Sequence, residues 1–180
     1  REALRSELKE LQIRLKATFV FVTHDQVEAM SMGDKVAVLN KGKLVQVGTP
    51  WEIYNRPRDL FVASFVGSPS MNLLPGAVSG GECSLFGGAQ KLKMPVKSGA
   101  SEVTVGIRSE DVEVGPEGPV EAVIHDVENH GVEKIVTLRV NDVLLKATVS
   151  SKMQTSVDAK VRFGLDPDKA HFFDPASGMN

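Results

Sequence analysis

The sequence predicts an α/β segment over residues 1–66, followed by a β-rich domain. Two observations support this division. In the first part the apolar residues follow a helical repeat and then form a short continuous run, whereas from Met71 onward they fall in short β-branched runs separated by glycine and proline. Regularly spaced short runs of that kind indicate a small barrel or a sandwich. Hydrophobic residues make up 42% and charged residues 24% of the chain, which is usual for a folded globular protein.

The first 22 residues predict a helix followed by a buried strand. The helix covers residues 1–16, and its leucines recur at spacings that place them on one face: Leu4, Leu8, Leu11 and Leu15. Residues 18–22 are β-branched, apolar or aromatic without polar alternation, which is typical of a strand buried on both faces of a parallel sheet. Because such a strand needs neighbours, we expect residues 1–66 to pack against a second copy of the chain or against a further segment of the same protein.

A second helix is predicted to begin just after His24. Asp25 has the side chain of an N-cap, Glu28 stands where a capping box needs its acid, and Gly33 ends the helix. His24 therefore lies between the end of a strand and the start of a helix, where open α/β sheets hold their ligands. A histidine in that position is also compatible with purely local hydrogen bonding.

The rest of the α/β segment is predicted to contain four elements: strands at residues 35–40 and 43–47, a helix at 50–56 and a helix at 58–66. Lys41 and Gly42 form the tight turn between the two strands. Thr49 and Pro50 are the N-cap and the first-turn proline that commonly begin a helix.

The β-rich domain is predicted to contain five strands, at residues 103–107, 120–127, 134–140, 143–149 and 160–165. Asn141 and Asp142 between two of these strands predict a two-residue hairpin turn. The two Gly-Pro steps at residues 115–119 predict a break in the chain between strands.

The charge balance and the residue content exclude several classes of protein. Lys and Arg number 21 against 23 Asp and Glu, with no basic run, which argues against a nucleic-acid binder. Cys83 is the single cysteine, so we expect no disulfide framework and no thiolate metal site. His125, His130 and His171 have no second ligand at metal-like spacing, and we expect no metal site from them. The apolar runs of about four residues are far shorter than the roughly 20 residues of a membrane span.

Nearly the whole chain resembles the C-terminal part of ABC-transporter ATPase subunits, in the maltose-type and glycerol-3-phosphate-type sugar-importer branch. The residues that carry the resemblance are 21–30, 34–39, 42, 46–50, 52–54, 57, 61–69, 71–75, 106–110, 163–165 and 171–173. The resemblance implies the C-terminal part of a RecA-like nucleotide-binding domain in residues 1–66 and a linker at 67–75. It further implies a transport-associated, OB-like regulatory barrel in residues 76–180.

The same resemblance implies that His24 is the switch histidine of the family, a catalytic residue that binds ATP through its γ-phosphate. An imidazole donor in this position can stabilise charge that develops on a transferring phosphoryl group. ATP and Mg²⁺ would be the cofactors of the full-length parent, and we expect none for this chain alone.

The sequence lacks the other motifs of an ABC ATPase. Gly42-Lys43 is the single Gly-Lys step and has no phosphate-binding loop before it, and no apolar run ends in Asp-Glu. Residues 78–82 mimic the family's signature motif, but they follow His24 where the family's motif precedes it. We therefore expect this chain to be the downstream piece of a longer ATPase and to hydrolyse no ATP by itself.

The resemblance implies a role in solute uptake at the cytoplasmic face of the cytoplasmic membrane. The expected partners are a second ATPase subunit in a homodimer, transmembrane permease subunits and a regulatory protein, with the tail serving dimerisation and regulation. A stand-alone module that binds a small anion or a signalling protein is the alternative. An OB-fold nucleic-acid binder ranks last, because residues 76–180 contain no tryptophan or tyrosine to stack on bases.

Overall fold

The structure, a computed structural model, describes residues 2–94 and 101–180. The chain divides into two compact units, Arg1–Pro57 and Arg58–Asn180. The two units meet nine residues before the domain boundary predicted at residue 66, and the domain bounds themselves stay a prediction. The helix predicted at residues 58–66 belongs to the second unit. None of the helices in the described residues is long and apolar enough to cross a membrane.

The first unit contains three helices and one hairpin in its described residues: α1 Glu2–Leu15, α2 Gln26–Met32, β1 Val36–Asn40, β2 Lys43–Gly48 and α3 Pro50–Asn55. Each of these five elements was predicted with the same type, and the strand predicted between α1 and α2 is missing from the series. The strands β1 and β2 are antiparallel, and Lys41 and Gly42 between them adopt positive φ angles of 48° and 77°. Arg1 and the side chain of Leu4 lie outside the part of the chain that is described.

The prediction of a strand at residues 18–22 is wrong. This segment has no regular secondary structure, and Val20 and Val22 are 89% and 91% exposed. The composition of the segment favours a strand, but a strand also needs a partner with free backbone groups. In the described part of this unit, β1 and β2 pair with each other and the ladder does not include residues 18–22.

Helix α3 is held by a complete capping box. The Thr49 hydroxyl accepts a hydrogen bond from the Glu52 amide at 3.3 Å, and the Glu52 carboxylate accepts one from the Thr49 amide at 2.8 Å. The bond from the Thr49 amide lowers the pKa of Glu52, and so does a second bond, which the Thr49 hydroxyl donates to the same carboxylate at 3.1 Å. The start of α3 is thus fixed by the local sequence alone, as predicted.

The second unit is mostly β-sheet and begins with helix α4, Leu60–Phe65. Its ten strands are β3 Asn72–Ser79, β4 Glu82–Leu85, β5 Gln90–Lys93, β6 Glu102–Ile107, β7 Val112–Val114, β8 Val120–Asn129, β9 Glu133–Val140, β10 Val143–Ser150, β11 Lys160–Leu165 and β12 His171–Phe173, counted over the described residues. They form two antiparallel five-stranded sheets with the orders β12-β6-β3-β4-β5 and β10-β9-β8-β11-β7.

The inner faces of both sheets enclose one apolar core, which gives the unit the character of a small OB-like barrel. Its fully buried members include Leu74, Val105, Ile124, Leu138 and Phe163. The predicted β-rich domain is therefore confirmed, together with the hairpin at Asn141 and Asp142, which joins β9 to β10.

A side-chain amide links the two sheets where β10 has an open edge. The Asn72 amide nitrogen donates to the Lys146 carbonyl at 2.8 Å, and the Lys146 amide donates to the Asn72 carbonyl oxygen at 2.7 Å. One side chain thus satisfies both backbone groups of Lys146, as a neighbouring strand would.

Helix α4 packs onto the outer face of the first sheet of this unit. Ala63 contacts a small apolar cluster that contains Met71 and Phe173. Gly106 leaves room for this cluster, because a Cβ atom there would lie 2.6 Å from Met71 Sδ and 2.7 Å from Phe173 Cε2. The buried Arg108 guanidinium donates hydrogen bonds to the carbonyls of Ala63 and Val66 at the end of α4.

The last residues of the chain bind the start of the same helix. The Leu60 amide donates to the Gly178 carbonyl at 2.9 Å, and the Asn180 amide donates to the Arg58 carbonyl at 3.0 Å. Helix α4 is therefore held at both ends by groups of the β-rich unit.

Because residues 58–180 contain their own core and hold α4 themselves, we expect this fragment to fold when residues 1–57 are removed. Its unfolding should be cooperative, with a melting temperature within about 5 °C of the transition assigned to this unit in the whole chain. Circular dichroism and calorimetry measure both quantities. A broad, non-cooperative transition would contradict the prediction.

Candidate functional site

His24 lies in an exposed bend between the irregular segment that ends at Thr23 and the N-cap of α2. Asp25 is that N-cap, and its carboxylate accepts a hydrogen bond from the Glu28 amide at 3.1 Å, as predicted. Gly33 follows the last residue of α2, also as predicted. The short helix thus begins directly after the histidine.

The residues on both sides of His24 are joined by hydrogen bonds. The Thr23 hydroxyl donates to the Glu28 carboxylate at 2.9 Å, and the Asp25 amide donates to the Thr23 hydroxyl oxygen at 2.9 Å. With the bond from the Glu28 amide to Asp25, these contacts form a closed set that we name the Thr23–Asp25–Glu28 network. Of the capping box predicted here, the Asp25 bond is confirmed, and the Glu28 carboxylate accepts from the Thr23 hydroxyl, a bond that was not predicted.

The network and the histidine differ in their exposure to solvent. Thr23, Asp25 and Glu28 are half-buried, whereas His24 is exposed. The imidazole is therefore open to a ligand while the backbone on either side of it is held. Such an imidazole can donate a hydrogen bond to an anionic oxygen, which is the chemistry predicted for His24.

An open groove in the second unit, with a volume of about 810 Å³, is a separate candidate. The cationic side chains of Arg139, Lys160 and Arg162 line it, together with Glu121. The Arg162 guanidinium already bonds to neighbouring residues, because it donates to the Gly118 carbonyl at 2.7 Å and to the Glu121 carboxylate at 3.0 Å. The side chains of Arg139 and Lys160 give the groove a positive charge.

Among the described residues, neither the cysteine nor any of the other three histidines lines the groove. His171 is half-buried, and burial lowers its pKa, with a further contribution from the nearby Arg108. His130 lies 3.6 Å from Glu128. Cys83 is buried in the core, and this burial raises the pKa of its thiol. In the described ranges, no group of three or more His, Cys, Asp and Glu side chains is arranged to hold a metal ion.

Two known domain families match the second half of the chain. Residues 67–112 match the MalK OB fold domain, and residues 105–173 match the TOBE domain. The matched regions overlap and together follow the strands of the β-rich unit from β3 to β12. Residues 67–173 are therefore similar to these two domains.

Three similar curated proteins match nearly the whole chain. The sn-glycerol-3-phosphate import ATP-binding protein UgpC of Ruegeria sp. is 40% identical over 99% of this chain and 51% of its own length. The trehalose/maltose import ATP-binding protein MalK of Thermococcus litoralis is 41% identical over 99% of this chain and 52% of its own. An uncharacterized ABC transporter ATP-binding protein, y4oS of Sinorhizobium fredii, is 41% identical over 99% of this chain and 49% of its own.

These matches confirm the predicted resemblance to sugar-importer ATP-binding proteins, whose C-terminal TOBE region this chain matches. The chain spans about half the length of the curated relatives it matches. A solved structure of the cytoplasmic molybdate-binding protein ModG aligns with 56% of this chain and 94% of that chain at a TM-score of 0.47 and 15% identity. That likeness is too distant to bear on what the chain binds.

Proposed function

We propose that this chain is the C-terminal half of the ATP-hydrolysing subunit of an ABC importer for a sugar or a related solute. The single observation that carries the proposal is the alignment of 99% of the chain, at 40% identity, with half of a protein named an import ATP-binding protein. Under this proposal, the phosphate-binding loop and the Mg²⁺ ligands belong to the other half of the parent.

The first unit would complete the RecA-like nucleotide-binding domain of that parent. The exposed apolar run at residues 18–22 supports this assignment, because four large apolar side chains in water cost about 1.5 to 3 kcal/mol each relative to burial. In the parent, this run would pair with strands of the other half and become a buried strand. The two exposed apolar residues at the end of α1, Ile13 and Leu15, would be covered in the same way.

His24 would contact the γ-phosphate of ATP. Its exposed imidazole can donate a hydrogen bond to a phosphate oxygen. The same side chain would help to orient the attacking water. When bound, ATP with Mg²⁺ supplies the phosphoryl group and neutralises its charge. The sequence of this chain offers His24 alone for that ligand, so we expect the isolated chain to hydrolyse no ATP.

The second unit would serve dimerisation and regulation at the cytoplasmic face of the membrane. Its MalK OB fold and TOBE domains support this role. The partners would be a second ATPase subunit, the permease subunits and a regulatory protein. A nucleic acid is not among them, since the formal net charge of the chain is -2.

We expect His24→Ala to lower the rate of ATP hydrolysis about a hundredfold while the KM for ATP changes little, because the contact is strongest as charge develops in the transition state. The measurement uses the N-terminal half of the Ruegeria UgpC placed before residue 1 of this chain, which we name the joined protein. Steady-state hydrolysis gives kcat and KM. A joined protein without activity, or an equal loss of kcat and affinity, would contradict the proposal.

The alternative, a stand-alone module for a small anion, is favoured by the groove that carries Arg139 and Lys160. Calorimetric titration of the 180-residue chain with molybdate and sulfate distinguishes the two functions. Saturable binding that Lys160→Ala abolishes would support the module, and the absence of binding would leave the importer subunit as the function.

A further inference from the structure

We propose that Thr23 and Glu28 are positioning residues for His24, which hold the backbone on both sides of the imidazole in one conformation. The role of His24 in hydrolysis rests on the proposed function. The hydrogen bonds of the network come from the structure alone.

The network fixes His24 because its members flank the histidine in the sequence. Thr23 precedes His24 and Asp25 follows it, and the Asp25 amide bonds to the Thr23 hydroxyl across the histidine. This bond closes a tight turn in which the peptide groups of His24 have little freedom. The direction of the Cα–Cβ bond of His24 is thereby set without any contact to the imidazole itself.

Glu28 determines how the Thr23 hydroxyl is oriented. The Thr23 hydroxyl donates its hydrogen to the Glu28 carboxylate, with 2.9 Å between Thr23 Oγ1 and Glu28 Oε2. The lone pairs of the same hydroxyl oxygen therefore face the Asp25 amide. Without an acceptor at residue 28, the hydroxyl is free to rotate and the bond to the Asp25 amide weakens. Glu28 makes a second contact within the network, because its backbone amide donates a hydrogen bond to the Asp25 carboxylate.

A positioning role of this kind affects the rate more than the binding of substrate. A side chain that aligns a water and a phosphoryl group loses much of its effect when it is displaced by about 1 Å, which costs up to roughly a hundredfold in rate. The affinity for ATP depends on many other contacts and should change little.

The first experiment uses the 180-residue chain and needs no nucleotide. Thr23→Val and Glu28→Ala should each speed hydrogen exchange of the Asp25 amide several-fold, whereas Thr23→Ser and Glu28→Gln keep a hydroxyl and an acceptor and should leave exchange unchanged. Ser31→Ala is the matched control, because Ser31 lies on the same helix, is exposed, and bonds only to the Glu28 carbonyl among the contacts described. Equal exchange in Glu28→Ala and Ser31→Ala would overturn the proposal.

The second experiment measures ATP hydrolysis by the joined protein. Glu28→Ala and Thr23→Val should each lower kcat about tenfold with the KM for ATP within about twofold, and Glu28→Gln should restore most of the rate. The double variant should be no slower than Thr23→Val, because that variant already removes the bond between Thr23 and Glu28. Additive losses, or a Glu28→Gln variant as slow as Glu28→Ala, would refute the positioning role.

The two experiments separate this inference from the proposed function. If His24→Ala leaves hydrolysis unchanged, the proposed role of His24 fails, while the exchange of the Asp25 amide still decides whether the network holds the turn.

Discussion

Replacing Gly118 by alanine is expected to lower the free energy of unfolding of the β-rich unit by about 3 to 4 kcal/mol. A Cβ atom at Gly118 would lie 2.3 Å from the Phe163 carbonyl carbon and 2.5 Å from its Cα and N atoms. These are backbone atoms of β11, and the Phe163 side chain is fully buried, so the strand cannot move aside cheaply. The Gly118 carbonyl is also held by the Arg162 guanidinium at 2.7 Å, which fixes the turn against the strand.

The same turn provides the control for this prediction. A Cβ atom at Gly115 would meet no heavy atom within 4 Å, so Gly115→Ala should change the free energy of unfolding by less than about 0.5 kcal/mol. Urea unfolding followed by circular dichroism measures both variants. Similar stabilities for the alanine variants at residues 115 and 118 would show that the turn can shift, against our expectation.

Replacing Arg108 by alanine should cost about 3 kcal/mol of the free energy of unfolding and should release helix α4. Arg108 is only 3% exposed, and it donates to the Ala63 and Val66 carbonyls where α4 ends. The variant leaves these carbonyls without their donor and opens a cavity in a packed region. Hydrogen exchange at the Val66 amide, which bonds to the Val62 carbonyl, reports on the helix directly.

Two further variants test the cause of that loss. Arg108→Lys keeps a charged donor and should recover part of the stability, although lysine lacks the planar fork of arginine. Arg139→Ala removes an exposed arginine of the same unit and should cost less than about 0.5 kcal/mol. If Arg108→Ala is as stable as Arg139→Ala, the guanidinium does not hold the helix.

Local signals in the sequence predicted the helices and hairpins well. The caps at Asp25 and Thr49 involve residues three positions apart, and the hairpin at Asn141 is set by its own turn, so neighbouring residues suffice to specify them. The β-rich character of the second unit follows from the same kind of pattern. The predicted strand at residues 18–22 failed because its pairing depends on chain segments that its own composition does not reveal.

The residues that hold the second unit together could not be recognised from their neighbours. Arg108 bonds to a residue 42 positions earlier, and Asn72 bonds to one 74 positions later. Both stand in segments that resemble importer ATPases, but their physical roles appear only when the chain is folded. For the candidate site, the sequence located His24 and the Asp25 cap, and it missed the bond from Thr23 to Glu28 because a five-residue separation matches no standard capping pattern.

The hydrogen bond from the Asn180 amide to the Arg58 carbonyl brings the first and last residues of the β-rich unit, Arg58–Asn180, side by side. A domain whose two ends meet is suited to circular permutation, because a short linker can join them while new ends are opened elsewhere. The exposed turn at Gly131, between β8 and β9, is a suitable place for the new ends. A folding unit of this kind can be inserted into a host protein through a single loop, and a bulky tag fused after Asn180 would crowd the peptide that leads into it.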